Sequence, residues 1–345
     1  GSADLSHVEA AAKQIGPSLK PGSIVVNKST VPVGSATMVE QVIGRSDIAV
    51  VSNPEFLREG TAVLDSLNPD RIVVGADDPQ AAAKVGELFA ATGAPLIVTD
   101  ATTSETIKYA SNAFLATKLS FVNALAGLCE EVGADARDVL LGLGYDKRIG
   151  FEFLRPGPGW GGSCLPKDTR ALLHIAREAG YDFALLAGAI ESNDEQLQRV
   201  VDKVEAACGG SVDGATVAVW GLTFKANTDD RRDSPALQIT RRLVDLGAVA
   251  RAFDPTVEVA TDADVEVGGE GPDDLRGLTL CADPYDSATG ARAVVVLTEW
   301  DEFRWLDFAR VLGVMAEPAI VDARNLLDPA AVRRMGFHYT GIGRQ

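Results

Sequence analysis

Short β-branched runs separated by polar or helical stretches occur at both ends of the chain and are missing from its middle, and this constrains the fold more than any other feature. From Ser23 to Asp100 the runs SIVVNKST, DIAVVS, RIVVG and PLIVTD alternate with helical segments, as in a parallel sheet crossed by helices. A doubly wound nucleotide domain opens on a strand and a glycine-rich turn. Here Asp4-Leu5-Ser6 leads straight into the helical string VEAAAKQI, so this first domain is expected to lack its N-terminal part. One long helix is predicted from Thr102 to about Val132, with Thr102 and Glu105 at capping-box spacing and Ile107, Phe114, Phe121, Leu125 and Leu128 near a 3.6-residue period. Helices follow in ARDVLLGL, from about Pro166 to Ala179, and from Phe183 through Ala207. At Gly209-Gly210 the strands restart, in TVAVWGLTF, AVARAFDP, ARAVVVLTEW and PAIVDARN. The expected architecture is α/β: two Rossmann-like doubly wound domains, residues 1–101 and 209–345, joined by an all-helical region, 102–208, with the first domain truncated at its N-terminus. The acidic, glycine-rich stretch from Asp262 to Asp274 reads as a solvated loop.

Composition narrows the function classes. At 345 residues the chain has room for two or three cores; 46% hydrophobic and 23% charged residues, with no apolar run near the roughly 18 that a membrane span needs, describe a soluble globular protein without a membrane partner. Thirty-two basic against 49 acidic residues give a net charge of -17, which repels a phosphate backbone and argues against nucleic acid. Local Lys and Arg clusters can still hold a small phosphorylated ligand. Cys129, Cys164, Cys208 and Cys281 are widely spaced, with no C-x-x-C pair and no disulfide-like framework, and nothing at the start resembles a signal peptide; a reducing cytoplasm fits best. His7, His174 and His338 lie far apart and outside every motif, so no metal site is expected.

The most informative string is GWGGSCLPKD, residues 159 to 168. Cys164 follows a glycine pair and precedes Pro166, which suits the first turn of a helix, and a thiol there meets unsatisfied N–H groups and the positive end of the dipole, which favours the thiolate. Cys164 is a candidate nucleophile. Asp168, four residues on, faces nearly the same way and can hold a water or a substrate hydroxyl. The bland alternative is a structural cysteine beside a surface aspartate. Gly157, Gly159 and Gly162 formally spell G-x-G-x-x-G, but no β-branched strand precedes them, so a flexible glycine loop closing over a substrate is the better reading than a cofactor loop.

Lys108 and Asn112 project from one face of the long helix, where a buried ammonium could stabilise an alkoxide and the amide hold a hydroxyl; a solvated lysine and an incidental asparagine are the alternative. STVPVG (Ser29 to Gly34) and NPEFLREG (Asn53 to Gly60) each follow a strand, at the edge where open α/β sheets bind ligands, which makes Glu55 and Glu59 candidates for a base and a cofactor contact. GLTFKANTDDRRDSP (Gly221 to Pro235) sets Lys225 and Arg232 between a strand and a helix, where phosphates bind, unless they merely pair with Asp229, Asp230 and Asp233. Arg324, after the strand in AIVDARN, is a second anion candidate.

Taken in order, STVPVG, NPEFLREG, the K-x-x-x-N of IKYASNAF, DKRIG, GWGGSCLPKD and GLTFKANTDDRRDSP resemble the UDP-glucose/GDP-mannose dehydrogenase family over nearly the whole chain. The resemblance implies an NAD-binding domain, a central helical dimerisation region and a C-terminal UDP-sugar-binding domain. STVPVG, NPEFLREG followed by LNPDRIVVG, and GGSC lean towards members that oxidise UDP-glucose, with GDP-mannose and UDP-N-acetylmannosamine as the near alternatives. It implies oxidation of the sugar C6 alcohol to an aldehyde, capture by Cys164, a second oxidation to a thioester, and hydrolysis to the uronate. Lys108 and Asn112 would stabilise the oxyanion, Asp168 would assist proton transfer through water, and Glu55 would assist hydrolysis. Phe56, Leu57, Arg58, Phe153, Leu154, Arg155, Gly159, Gly161, Lys225 and Arg324 match positions around the nucleotide sugar, and Arg148 matches an arginine that reaches the neighbouring subunit's substrate in a homodimer. Thr30, counted with the catalytic positions as well, matches the cofactor side together with Glu59, Lys167 and Arg232. Two rival readings are a thiol hydrolase or acyltransferase that uses Cys164 without a nicotinamide, and a nucleotide-sugar-binding, dimerising fragment without catalysis.

Overall fold

The computed structural model describes residues 5–259 and 275–344; the predicted acidic loop at 262–274 lies outside them. The chain divides into two compact units, one made of residues 1–114 and 167–183 and the other of 115–166 and 184–345.

In the first unit, α1 (Ser6–Ile15), β1 (Ile24–Asn27), α2 (Ser35–Ile43), β2 (Ala49–Ser52), α3 (Ala62–Leu67), β3 (Ile72–Gly75), α4 (Pro79–Glu87) and β4 (Leu96–Thr99) follow in turn. The sheet order is β1-β2-β3-β4. The predicted strands all form, but the sheet is not wholly parallel: β1 with β2 and β3 with β4 are parallel pairs, whereas β2 meets β3 antiparallel at Ser52 and Gly75. Buried Asn53 fastens that junction, its amide donating to the Val73 carbonyl at 2.7 Å while its own N–H donates to the Asn27 carbonyl at 2.9 Å. Strand-rich composition cannot report such a reversal, because both orientations bury the same β-branched faces. Val50 and Val51 of β2 point to opposite faces, Val50 packing with Ala12, Ala36 and Val39, and Val51 with Ala81, Ala82 and Val85.

The long helix forms as α5 (Ala101–Val132), and three more follow: α6 (Ala136–Gly144), α7 (Leu165–Glu178) and α8 (Ala184–Ala207). The expected capping box is corrected. Asp100 caps α5, its carboxylate accepting from the Thr103 N–H at 2.8 Å and the Thr103 hydroxyl at 2.6 Å. Glu105 instead accepts from the Gly34 and Ala36 N–H groups at 2.6 and 2.8 Å, so it satisfies the start of α2. The residues of the apolar period divide: Leu125 packs against the core, whereas Phe114, Phe121 and Leu128 are 69%, 60% and 56% exposed. Tyr109, Ala113, Ala116, Val122, Ala126 and Cys129 are buried in their place, because mostly small side chains let a helix lie close against its neighbours. By length and apolar character α5 passes for a membrane-crossing helix, which the sequence expectation missed. Its buried Glu105, Lys108, Asn112, Ser120 and Asn123 are each hydrogen-bonded within their own unit, as in a helix packed against protein.

The second unit carries β5 (Thr216–Trp220), α9 (Pro235–Asp245), β6 (Val249–Phe253), β7 (Thr279–Leu280), α10 (Pro284–Ala288), β8 (Ala293–Val296), α11 (Phe308–Val314), β9 (Ala319–Asp322), α12 (Pro329–Arg334) and β10 (His338–Gly341). The order β10-β9-β8-β5-β6-β7 is parallel throughout, the doubly wound arrangement expected of this part of the chain. Val217 and Val219 of β5 join the core built with α8 and α9, while Ala218 and Trp220 face Phe303, Phe308 and Val311 on the other side. The strand order reverses between β5 and β8, so the carboxyl ends of β5, β8 and β9 open on the crevice where such sheets take ligands.

Candidate functional site

In the first unit the candidates gather beside the loops after β1 and β2. Lys108, 4% exposed, donates from Nζ to the Glu55 carbonyl at 2.6 Å and to Glu55 Oε1 at 3.2 Å. The same carboxylate accepts from Thr30 Oγ1 at 3.4 Å and, through Oε2, from the Leu57 N–H at 2.7 Å. Lys108, Glu55 and Thr30 therefore form one polar cluster. The Phe56 ring lies 5.3 Å from Lys108 Nζ and carries the Arg71 guanidinium at 3.7 Å, a cation stacked on its π face. Arg71 also donates to Ser111 Oγ on α5 at 3.3 Å. It stands in the string LNPDRIVVG just before β3, where no local rule marks a cation for a ring on another loop.

Asn112 stands one turn beyond Lys108 and donates from Nδ2 to Asp168 Oδ2 at 2.6 Å, while Lys167 Nζ donates to Asp168 Oδ1 at 2.7 Å. Asp168 is fully buried and each of its oxygens accepts from a protein donor, which braces the carboxylate and leaves lone pairs for a further partner. Burial, then the Asp168 and Glu105 charges, push the Tyr109 phenol above its ordinary range. Arg58 turns away to Asp65, bonded at 2.6 and 3.1 Å, and this guanidinium holds the Asp65 carboxyl well below the usual aspartate range. Lys28 donates to Asn53 Oδ1 at 2.9 Å; burial lowers its ammonium pKa against the opposing pull of Glu55. At the carboxyl end of β1, Asn27 Nδ2 is buried without a hydrogen-bond partner. With Thr30 close by in sequence, that orphaned donor fits a polar cofactor at this sheet edge.

In the second unit, Cys164 is exposed one residue before α7, with Ser163 Oγ 3.5 Å from its sulfur. Cys129, Cys208 and Cys281 are buried, and burial pushes the Cys281 thiol up to about 11. The backbone leading to Cys164 is held by side chains that the sequence did not single out. Asn123 accepts from the Gly157 N–H at 2.9 Å, Gln196 donates to the Gly157 carbonyl at 2.8 Å, and Asn193 bonds both the N–H and the carbonyl of Trp160, at 2.7 and 3.1 Å. Trp160 Nε1 donates to Ser120 Oγ at 2.8 Å. The element before Gly157, Gly159 and Gly162 is the helix α6, not a strand. Two glycines of this segment also lie close against protein: a Cβ at Gly161 would stand 2.1 Å from the Asp233 carbonyl oxygen and one at Gly162 2.8 Å from the Phe224 ring.

Lys225 and Arg324 lie at the carboxyl ends of β5 and β9. Arg324 donates to the Leu297 and Phe224 carbonyls, each at 2.7 Å, and approaches Glu299 at 3.0 Å. Arg232 pairs with Asp230 at 2.8 Å, the bland alternative raised for it. Arg148 pairs with Asp146 two residues earlier, and its side chain is 88% exposed. Phe153 has φ 60°, a left-handed conformation rare for an aromatic residue, and Leu154 belongs to the core, so its candidate contact would be through backbone. Arg155, Leu57 and Gly159 lie at or near the surface, and Glu59 is half-buried.

A cysteine presented at a helix start and a doubly wound sheet with basic residues at its switch point define an α/β enzyme that handles a phosphorylated small molecule. Models of the UDP-glucose/GDP-mannose dehydrogenase family match the chain along its length: the NAD binding domain at residues 1–92, the central domain at 102–195 and the UDP binding domain at 218–329. Curated relatives include UDP-glucose 6-dehydrogenases of Rhizobium meliloti, 46% identical over all of this chain and 78% of that protein, and of Bacillus subtilis, 44% identical over all of this chain and 74% of that protein. Among solved structures, a UDP-glucose dehydrogenase of Pyrobaculum islandicum matches with TM-score 0.86 and 35% identity, over all of this chain and 77% of the other. A UDP-D-ManNAc dehydrogenase of Pyrococcus horikoshii matches with TM-score 0.84 and 27% identity, over 99% and 77%. The chain belongs to the UDP-glucose/GDP-mannose dehydrogenase family. It is an NAD-dependent nucleotide-sugar dehydrogenase. The match of the NAD binding domain model to residues 1–92 gives no support to the expected truncation.

Proposed function

We propose that this dehydrogenase oxidises UDP-glucose to UDP-glucuronate in two stages through a covalent adduct on Cys164. The observation that carries the reading is the contrast among the cysteines: Cys164 is exposed at the start of α7, while Cys129, Cys208 and Cys281 are buried. The substrate choice is supported by the names of the relatives at 44–46% identity.

NAD, when bound, supplies the hydride acceptor for both oxidations, so two are consumed per sugar. Thr30, Glu59, Lys167 and Arg232 are the residues proposed on its side. Oxidation of the C6 alcohol removes a hydride and a proton and leaves an aldehyde. The Cys164 sulfur bonds to that carbon, and the oxygen gains the proton to give a thiohemiacetal, which retains the aldehyde and presents a second C–H bond for oxidation. Loss of the second hydride and the hydroxyl proton gives a thioester. Water then adds, the carbon–sulfur bond breaks, and the uronate leaves with the thiol restored. Lys108 and Asn112 stabilise negative charge on the C6 oxygen. Glu55, already hydrogen-bonded to Lys108 and Thr30, assists the hydrolytic water, and Asp168 acts by fixing Asn112 and Lys167 as well as in proton transfer. Phe56, Leu57, Arg58, Phe153, Leu154, Arg155, Gly159, Gly161, Lys225 and Arg324 hold the nucleotide sugar.

The same reading takes residues 1–101, 102–208 and 209–345 as cofactor, dimerisation and UDP-sugar domains of a cytoplasmic homodimer. The exposed stripe of Phe114, Phe121, Leu128 and Val132 along α5 supports pairing through the central helices.

Cys164→Ser is expected to abolish uronate formation and leave UDP-glucose binding largely intact, and mass spectrometry of the stalled wild-type reaction to find sugar on Cys164. Unchanged turnover in the variant removes the thiol from the mechanism. NADH formation measured against UDP-glucose, UDP-N-acetylmannosamine and GDP-mannose decides the sugar, and preference for either of the last two overturns the substrate assignment.

A further inference from the structure

Phe224 has no part in the roles assigned above, yet the turn that carries it is fastened from several sides. Asp254, 2% exposed after β6, accepts from the N–H groups of Leu222 at 2.7 Å and Thr223 at 3.1 Å. Thr298 donates to the Thr223 carbonyl at 2.6 Å and Arg324 to the Phe224 carbonyl at 2.7 Å, while the Phe224 N–H donates to the Asp230 carbonyl at 3.1 Å. With its backbone clamped on both sides, the residue has little freedom in where its ring goes. The ring lies on Gly162: a Cβ there would stand 2.8 Å from Cδ2 and 2.9 Å from Cε2. Beside it a Cβ on Gly161 would stand 2.1 Å from the Asp233 oxygen and 2.6 Å from Pro235 Cδ, and the Gly162 N–H points at the Asp233 carbonyl at 3.4 Å. Cys164 comes two residues after Gly162, and Leu165 opens α7.

We propose that Phe224 is a positioning residue for the Cys164 thiol. Its ring seats the Gly161–Gly162 segment and so sets where the chain enters α7, which makes the turn carrying Lys225 and the nucleophile one mechanical piece. The inference rests on the reading of Cys164 as nucleophile. Glycine has the widest range of backbone conformations, and a segment of two glycines keeps one geometry only where neighbours impose it. Removing the ring frees that segment, and a displacement of about 1 Å at a reacting group costs about 100-fold in rate.

The test is Phe224→Ala in the enzyme, with Phe224→Leu beside it to retain bulk, reading kcat, KM for UDP-glucose, the dissociation constant of UDP and the thermal midpoint. The expected result for Phe224→Ala is a kcat about 10- to 100-fold lower with UDP affinity within about threefold of the parent, and recovery of part of the loss in Phe224→Leu. The inference is overturned if both variants keep the parental kcat, or if kcat falls only in step with UDP affinity, which would assign the ring to the nucleotide seat. Should Phe224→Ala not fold, Phe224→Leu decides by the same split between kcat and affinity. A Cys164→Ser enzyme that still makes uronate defeats the nucleophile itself, whereas an inert Cys164→Ser beside fully active Phe224 variants defeats the positioning role alone.

Discussion

Lys108 shows how much a single side chain depends on its neighbours. Its ammonium is buried and bound to both the carbonyl and the carboxylate of Glu55, so it is ready to meet negative charge without first shedding water. Lys108→Ala is expected to lower kcat by about 100-fold or more if the charge serves the oxyanion; stopped-flow NADH formation reads this, and a change in KM alone would reduce the residue to a binding group. The pairing of Lys108 and Asn112 on one helix face was legible from their spacing. Their partners were not, because Glu55 lies 53 and Asp168 56 positions away in sequence, and no local rule links them. Arg71, Asn123, Asn193 and Asp254 went unseen for the same reason: each acts on backbone or rings brought near by folding.

At the scale of elements, periodicity located α5 but did not say which of its apolar residues face the core. Phe114, Phe121 and Leu128 repeat every seven residues, a pattern that marks a surface for another apolar partner as readily as a core. The small residues that truly face the interior carry a weak hydrophobic signal. Close approach has a second instance where β3 meets the start of α5: a Cβ on Gly75 would lie 2.4 Å from Ser104 Cβ and 2.6 Å from the Asp100 carbonyl oxygen. Neither backbone can yield without disturbing the Asp100 cap or the sheet. Gly75→Ala is therefore expected to destabilise the first unit by about 1–3 kcal/mol, seen as a lower urea midpoint at constant slope; an unmoved midpoint would mean that the helix start shifts freely.

For the whole molecule, Arg148 is where the proposed dimer and the proposed chemistry meet. Among the described residues its guanidinium pairs with Asp146, and its side chain is largely exposed, which leaves it open to the neighbouring subunit of the proposed dimer. On the proposed pairing of subunits, Arg148→Ala is expected to weaken binding of the proposed substrate UDP-glucose in the dimer, and mixed dimers that pair it with a Cys164→Ser subunit to regain activity at one of their two sites. Absence of complementation in purified heterodimers would confine Arg148 to its own subunit. The net charge of -17 sets the far field of the chain, whereas Lys225 and Arg324, proposed at the nucleotide sugar, would act at short range, so the two are compatible.

The sequence by itself determined the main strands, the long helices of the middle, the class of the second sheet and the family, because hydrophobic period, turn residues and contiguous motifs are local properties of a chain. Tertiary structure alone decided that β2 and β3 run antiparallel, that Glu105 caps α2 and not its own helix, and that Gly161 and Gly162 lie against Asp233 and Phe224. Each of these depends on which distant backbone donors, acceptors and rings come within contact distance, and that is fixed only once the cores have packed.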